Sequence, residues 1–264
     1  MRMAVCLDKA KVQRSFAAAA LSYDGLAELQ RRVGIELLSR FPLNSQSGVL
    51  LDIGCGTGFL SHQLAASIRD HCLIALDLAW PMLQTSRRNY PGMAAQYLCA
   101  DAENLPLAAR SVAQIYSNLA LQWAQDLEAT FTGFKQVLKQ GGRLTFATFG
   151  PSTLCELKSA WAEVDDYTHV NTFHSVDEIE GFLRAAGFRN ICLDRVVYKS
   201  RYPSVLSLMR ELKGIGAHNV NHGRNPKPTT RSKLQQMIDC YEAQMHDDQV
   251  VASYEIIFAK AESQ

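Results

Sequence analysis

No cysteine pair stands at the CxxC spacing of a redox or zinc site, although the chain carries seven cysteines, at positions 6, 55, 72, 99, 155, 192 and 240. An odd number cannot pair completely, and thiols scattered in this way fit a reducing compartment. A dominant charge sign is missing as well: 27 Lys and Arg face 26 Asp and Glu, a net +1. No whole-molecule field therefore holds the chain on DNA or an anionic bilayer, and an electrostatic partner must meet a local patch. Long apolar runs are absent too. Nothing approaches the roughly 20 residues that cross a bilayer, and the opening apolar stretch is broken by Asp8 and Lys9 before it reaches signal-peptide length. These absences lead us to expect a soluble, cytoplasmic protein with no metal site and neither a membrane nor a nucleic acid as partner. What is present is ordinary globular material, 264 residues with 47% hydrophobic and 20% charged, enough for one large domain with an elaboration.

The apolar pattern alternates between strand and helix. Residues 8–40 read as helical, with Ser22 as a cap and Leu26, Leu29, Val33 and Leu37 recurring every three or four positions. Short apolar runs then predict strands over 49–53, 72–76, 95–100, 114–117 and 144–149, with amphipathic segments between them and Gly141-Gly142 stopping the last of these helices. Beyond Pro151 a helix is expected near 153–164. A capping box at Ser175 and Glu178 opens another, and strands are predicted over 191–198 and 253–259. Roughly 50 residues separate these two strands, far more than an ordinary connection. They carry a helix from Ser204 to Lys213, a Gly/Asn/Pro-rich loop from Gly214 to Pro228 and a second helix with Leu234, Ile238, Tyr241 and Met245, an insertion over one edge of the sheet. Strands alternating with helices argue for a parallel sheet covered on both faces.

The chemistry concentrates at strand ends. After the first strand come Asp52 and the glycines Gly54, Gly56 and Gly58 in the order GxGxG, not the GxGxxG of dinucleotide sites. Glycine lets the chain turn sharply and lets a ligand approach the backbone, while an acid just ahead of the turn repels pyrophosphate and suits an ammonium group. Asp77 and Asp101 end the next two strands. Adjacent strand ends in a doubly wound sheet open onto one crevice, where Asp77 could accept from two ribose hydroxyls and Asp101 from an adenine amino group. Together they point to an adenosine ligand with a positively charged tail.

The segments 51–58, 99–106, 117–123 and 141–144, with Asp77, resemble the class I S-adenosylmethionine-dependent methyltransferases over about residues 49 to 149. That resemblance implies an α/β, doubly wound, Rossmann-like sheet, mostly parallel with an antiparallel last strand, plus a helical lid insertion. It implies S-adenosylmethionine as cofactor: Asp52, Gly54, Gly56 and Gly58 at its methionine end, Asp77 at the ribose, Asp101 and Ala102 at the adenine, and Asn118 beside the sulfonium, with Cys55 and Leu78 as further cofactor contacts.

A closer resemblance spans nearly the whole chain. Lys11 to Phe16, Ser22-Tyr23-Asp24, Gln30, and above all the stretch from Leu208 to Asn219 with Gly223-Arg224 look like the malonyl-acyl-carrier-protein O-methyltransferases of biotin synthesis. It implies a single domain over 1–264: a helical cap (1–45), a cofactor core (46–150), sheet completion (151–200), a helical lid (201–250) and a last strand (251–264). Tyr23 and Gln30 become cofactor or substrate contacts, and Tyr23, Arg210 and Arg224 substrate-anchor candidates. From 199 to 233 the basic residues Lys199, Arg201, Arg210, Lys213, Arg224, Lys227, Arg231 and Lys233 face the single acid Glu211, a local +7, which suits an acidic carrier protein. A carboxylate is ionised at neutral pH, so its methylation needs no general base, and none is assigned among His169, His174, His218 and His222. A methyltransferase for a quinone precursor or a free dicarboxylic acid, and a non-catalytic cofactor-binding module docking a protein or RNA, stay open as alternatives.

Overall fold

The computed structural model describes residues 7–44, 47–67, 71–217, 228–245 and 249–264. Three helices come first, α1 (Lys9–Ala19), α2 (Tyr23–Leu26) and α3 (Glu28–Arg40). Residues 8–40 are helical as read, but in three pieces with breaks at 20–22 and at Ala27. Asp8 caps α1 by accepting from the Lys11 N–H at 3.0 Å. Ser22 caps nothing: its hydroxyl donates to the Ala19 and Gly214 carbonyls at 3.2 and 3.3 Å.

The sheet follows as β1 (Gly48–Ile53), α4 (Phe59–Ser67), β2 (His71–Asp77), α5 (Trp80–Asn89), β3 (Ala95–Cys99), β4 (Val112–Asn118), α6 (Leu127–Val137) and β5 (Leu138–Phe149). It is completed by α7 (Cys155–Ala162), α8 (Val176–Ala185), β6 (Phe188–Tyr202), α9 (Val205–Gly214), α10 (Arg231–Ala243) and β7 (Val250–Ser263). The strand order is β3-β2-β1-β4-β5-β7-β6. β1 to β5 pair in parallel, and β7 runs antiparallel to both β5 and β6, as expected of the last strand. Strand order reverses between β1 and β4, which opens a crevice at their carboxyl ends.

Both faces are covered, for the reason the apolar pattern suggests. Phe131 and Phe134 of α6 with Ile179 and Leu183 of α8 bury against Leu51, Ile115 and Phe146 on one face. Leu37 of α3, Trp161 of α7, Leu208 of α9, and Met237 and Tyr241 of α10 bury against Tyr116, Ile256 and Phe258 on the other. The capping box forms as read, with Ser175 and Glu178 bonding reciprocally. Helix α6 stops at Val137, ahead of the glycine pair expected to end it, and Gly141-Gly142 instead falls within β5, where the pairing slips from Leu138 opposite Val112 to Arg143 opposite Gln114. The long segment between β6 and β7 leaves the tip of their ladder, where Tyr202 pairs with Val250, and returns over the face that carries α3 and α7.

Candidate active site

The turn after β1 is held on β2, since the Gly54 and Cys55 N–H groups both donate to the Leu76 carbonyl at 2.8 and 2.9 Å. Its glycines have different reasons to be glycine. A Cβ at Gly54 would lie 2.2 Å from that of Ala120, and one at Gly58 would lie 2.1 Å from the Ser86 hydroxyl; these two permit close packing. At Gly56, with φ of +54°, a Cβ would meet nothing within 4 Å. It would project into open space on the wall of two cavities, which is where a ligand can approach the backbone.

The acids are positioned by backbone. Asp77 accepts from Gly56 N–H at 2.9 Å and Ala79 N–H at 2.8 Å. Burial lifts its pKa to about 6, an effect that these hydrogen bonds only partly offset. Asp52 is 1% exposed. Burial, reinforced by the charge of Asp77, lifts it to about 7 against the opposing hydrogen bond from Ser61. Asp101 sits opposite a cation: Lys9 of α1 reaches across to its Oδ1 at 2.9 Å and also pairs with Glu103. From α2, Asp24 accepts from Thr57 and Asn89, so the cap is tied to the glycine turn.

Three cavities surround these groups. The first, about 740 Å³ with its mouth, is floored by Gly54, Gly56 and Asp77, roofed by Val12, Phe16 and Tyr23, and bounded by Leu78, Asp101 and Ala102. A smaller one, about 440 Å³, lies between the turn and the cap and is walled by Tyr23, Arg31, Asp52 and Cys55. The other large one, about 700 Å³, is mainly apolar and is bounded by α3, α7 and the end of α9. They converge: Asn118 lines the first and the small one, Gln30 the small and the apolar one, Trp123 the first and the apolar one. At this junction the Asn118 amide donates to the Gln30 carbonyl at 2.8 Å. Asn118 Oδ1 and Gln30 Oε1 are buried without a hydrogen-bond partner among the described residues.

S-adenosylmethionine fits what these residues leave unsatisfied. Buried Asp52 and half-buried Asp77, which meet no cation among the described residues, form an acceptor-rich site with the two orphaned amide oxygens, and such groups are costly to leave unpaired. A ligand with ribose hydroxyls, an adenine amine, an ammonium and a sulfonium brings the matching donors and charge.

Of the other residues singled out in sequence, Gly58 lies off the cavity walls, against Ser86. Arg210 is exposed on α9 and also lines none of the three cavities. Arg224, Lys227, His218 and His222 fall outside the described residues. His169 lines the apolar cavity, whereas His174 packs edge-on against Phe182 with ring centroids 5.1 Å apart. Sequence reasoning did not pick out Lys9, Arg31 or Trp123, which line the cavities, or Gly34, which packs against Asn118. Gly34 had a detectable signal, a glycine inside the apolar stripe of a helix; Lys9 had none, since its partner lies 92 residues away.

Residues 51–146 match the family model described as a methyltransferase domain. The chain is 43% identical over 258 residues to a malonyl-[acyl-carrier protein] O-methyltransferase of Methylococcus capsulatus, covering 97% of this chain and 94% of that one. It is 41% identical over 256 residues to the biotin biosynthesis bifunctional protein BioHC of Cellvibrio japonicus, of which it spans only 50%. Among solved structures, phosphoethanolamine N-methyltransferase 2 of Haemonchus contortus in complex with S-adenosyl-L-methionine superposes with a TM-score of 0.58 at 16% identity, covering 94% of this chain and 57% of that one. The last likeness is one of fold.

Proposed function

Because the chain belongs to the malonyl-[acyl-carrier protein] O-methyltransferase family, we propose that it uses S-adenosylmethionine to methylate the free carboxylate of malonyl-acyl carrier protein, early in the pimeloyl part of biotin synthesis in the cytoplasm. The observation that carries this reading is the junction at Asn118, Gln30 and Trp123, where an acceptor-rich cavity meets an apolar one. When bound, S-adenosylmethionine supplies an electrophilic methyl group on a sulfonium. Asp77 receives the ribose hydroxyls, Asp101 and the Ala102 backbone hold the adenine, and Asp52 with the glycine turn faces the amino-acid end. Tyr23 and Phe16 close the cavity from above and exclude water.

In the reaction one C–O bond forms as one C–S bond breaks, and the negative and positive charges both disappear. No proton moves, so no general base is called for, and the chain supplies alignment and partial desolvation. Labelled S-adenosylmethionine and malonyl carrier protein test the reading: base-labile label on the carrier is the expected result, and binding of both without transfer refutes it.

The carrier docks, in this reading, on the basic lid. Lys199 and Arg201 of β6, Arg210 and Lys213 of α9 and Arg231 of α10 are exposed. Lys233 is instead engaged by Asp165 at 2.9 Å, so it has less charge to offer a partner. Arg224 and Lys227 remain assigned to this patch on sequence position alone.

A further inference from the structure

A carboxylate that enters the apolar cavity leaves water among Leu29, Phe149, Leu154, Leu157, Phe173 and Ile215, and an anion so placed is costly without a donor. Most polar side chains on the wall have partners. Gln122 donates to the Leu119 carbonyl and accepts from Thr148. Thr153 exchanges hydrogen bonds with the Glu255 backbone. Glu211 accepts from the Tyr202 hydroxyl at 2.7 Å, which in turn meets that of Tyr254 at 3.1 Å, and an acid there repels an anion. Among the described residues, one side chain on this wall can carry a positive charge, and it is His169.

Its ring is fixed from two sides. It stacks on Trp161 with centroids 3.7 Å apart and planes 5° from parallel, and Nε2 lies 2.7 Å from Asp165 Oδ1. Asp165 takes Lys233 on its other oxygen at 2.9 Å. Burial pushes Asp165 up, yet the hydrogen bonds from His169, Lys233 and the Tyr167 N–H prevail and hold it at about 2, so it stays a carboxylate. With Asp165 as acceptor, Nε2 carries its hydrogen and Nδ1 is the ring nitrogen left for a ligand. No described residue bonds Nδ1. A single carboxylate, Asp165, thus serves both the His169 ring and the Lys233 ammonium.

We propose that His169 is the carboxylate anchor of the apolar cavity, its Nδ1–H donating to the malonyl carboxylate so that the site selects the acid over its methyl ester. This rests on the malonyl thioester being the substrate. A single donor on one carboxylate oxygen leaves the other oxygen able to attack. The product ester carries no charge, loses the contact and is released more readily.

The test is calorimetric binding of malonyl-CoA and of its monomethyl ester to the protein saturated with S-adenosylhomocysteine. Wild type should prefer the acid. His169→Gln and His169→Asn should each lose about tenfold to hundredfold in affinity for malonyl-CoA, the range of a charge-assisted hydrogen bond, with the ester moved less than about twofold and S-adenosylhomocysteine binding retained. Equal losses for acid and ester, or no loss, overturn the anchor. A wild type that binds acid and ester alike overturns it without any variant. A wild type that methylates no malonyl thioester defeats the substrate assignment instead, so the two failures are distinguishable.

Discussion

At the scale of single residues, the site is organised by carboxylates that burial has made reluctant to ionise. Asp77, at about 6, and Asp52, at about 7, lie well above the ordinary 3.8. Between about pH 4 and 7 the folded protein without cofactor therefore binds more protons than the unfolded chain, and its stability falls as pH rises across that window. Donors arriving with S-adenosylmethionine favour the charged forms. Cofactor binding near pH 6 should accordingly release protons and tighten as pH rises, measurable by calorimetry in buffers of different ionisation enthalpy; proton uptake would reverse the assignment. Asp77→Ala should weaken binding by roughly 1.5 to 3 kcal/mol, as for a charged hydrogen bond left unmade. The three acids could be picked out in sequence because each stands at or next to the carboxyl end of a strand. The fixing of Asp101 by Lys9 was not, since local spacing carries no information about a partner from a distant helix.

At the scale of elements, α3 shows how packing and chemistry meet. Gly34 is buried on its inner face, and a Cβ there would stand 3.2 Å from Asn118 Nδ2 and 3.7 Å from Leu60. Ala at this position gains helix propensity of up to about 1 kcal/mol but pushes the Asn118 amide by a few tenths of an ångström. Gly34→Ala should hold or raise the melting temperature while slowing methyl transfer severalfold; wild-type turnover in the variant would deny the link between helix and amide. Sequence periodicity located the core of most elements because buried faces repeat. Over 8–40 it located helix but not the breaks: Leu29, Val33 and Leu37 belong to α3, Leu26 falls in α2, and the chain turns at 20–22 and at Ala27 between helices. It also shortened β6 and β7, whose ladder runs on through charged residues such as Arg189, Arg201 and Glu262, invisible to an apolar-run criterion.

At the scale of the whole molecule, a chain of net charge +1 carries a run of basic residues between 199 and 233, of which Lys199, Arg201, Arg210, Lys213 and Arg231 are exposed. Exposed charges act mainly on encounter, and with a screening length of about 8 Å at physiological ionic strength that attraction fades quickly with salt. Activity on malonyl carrier protein should fall severalfold as salt rises from about 0.05 to 0.5 M, and malonyl-CoA should respond less. Arg210→Glu and Lys213→Glu should raise the carrier's KM with cofactor affinity unchanged. Equal salt sensitivity for both thioesters would return the patch to an ordinary solvated face. The cation count was legible in sequence, but the pairing of Lys233 with Asp165 was not, because α10 meets the segment after α7 only in the folded chain.

In the proposed reaction the acceptor-rich and apolar cavities would bring sulfonium and carboxylate together where Asn118, Gln30 and Trp123 meet, and alignment would do the chemistry without a base. A rapid-quench single turnover with both ligands saturating measures that step directly. Methyl ester should form at a rate that is flat from roughly pH 6 to 9, since a carboxylate is already ionised there, and Asn118→Ala should slow it by roughly tenfold to hundredfold while both ligands still bind. A rate that climbs tenfold per pH unit, or an Asn118→Ala protein as fast as wild type, would contradict the account.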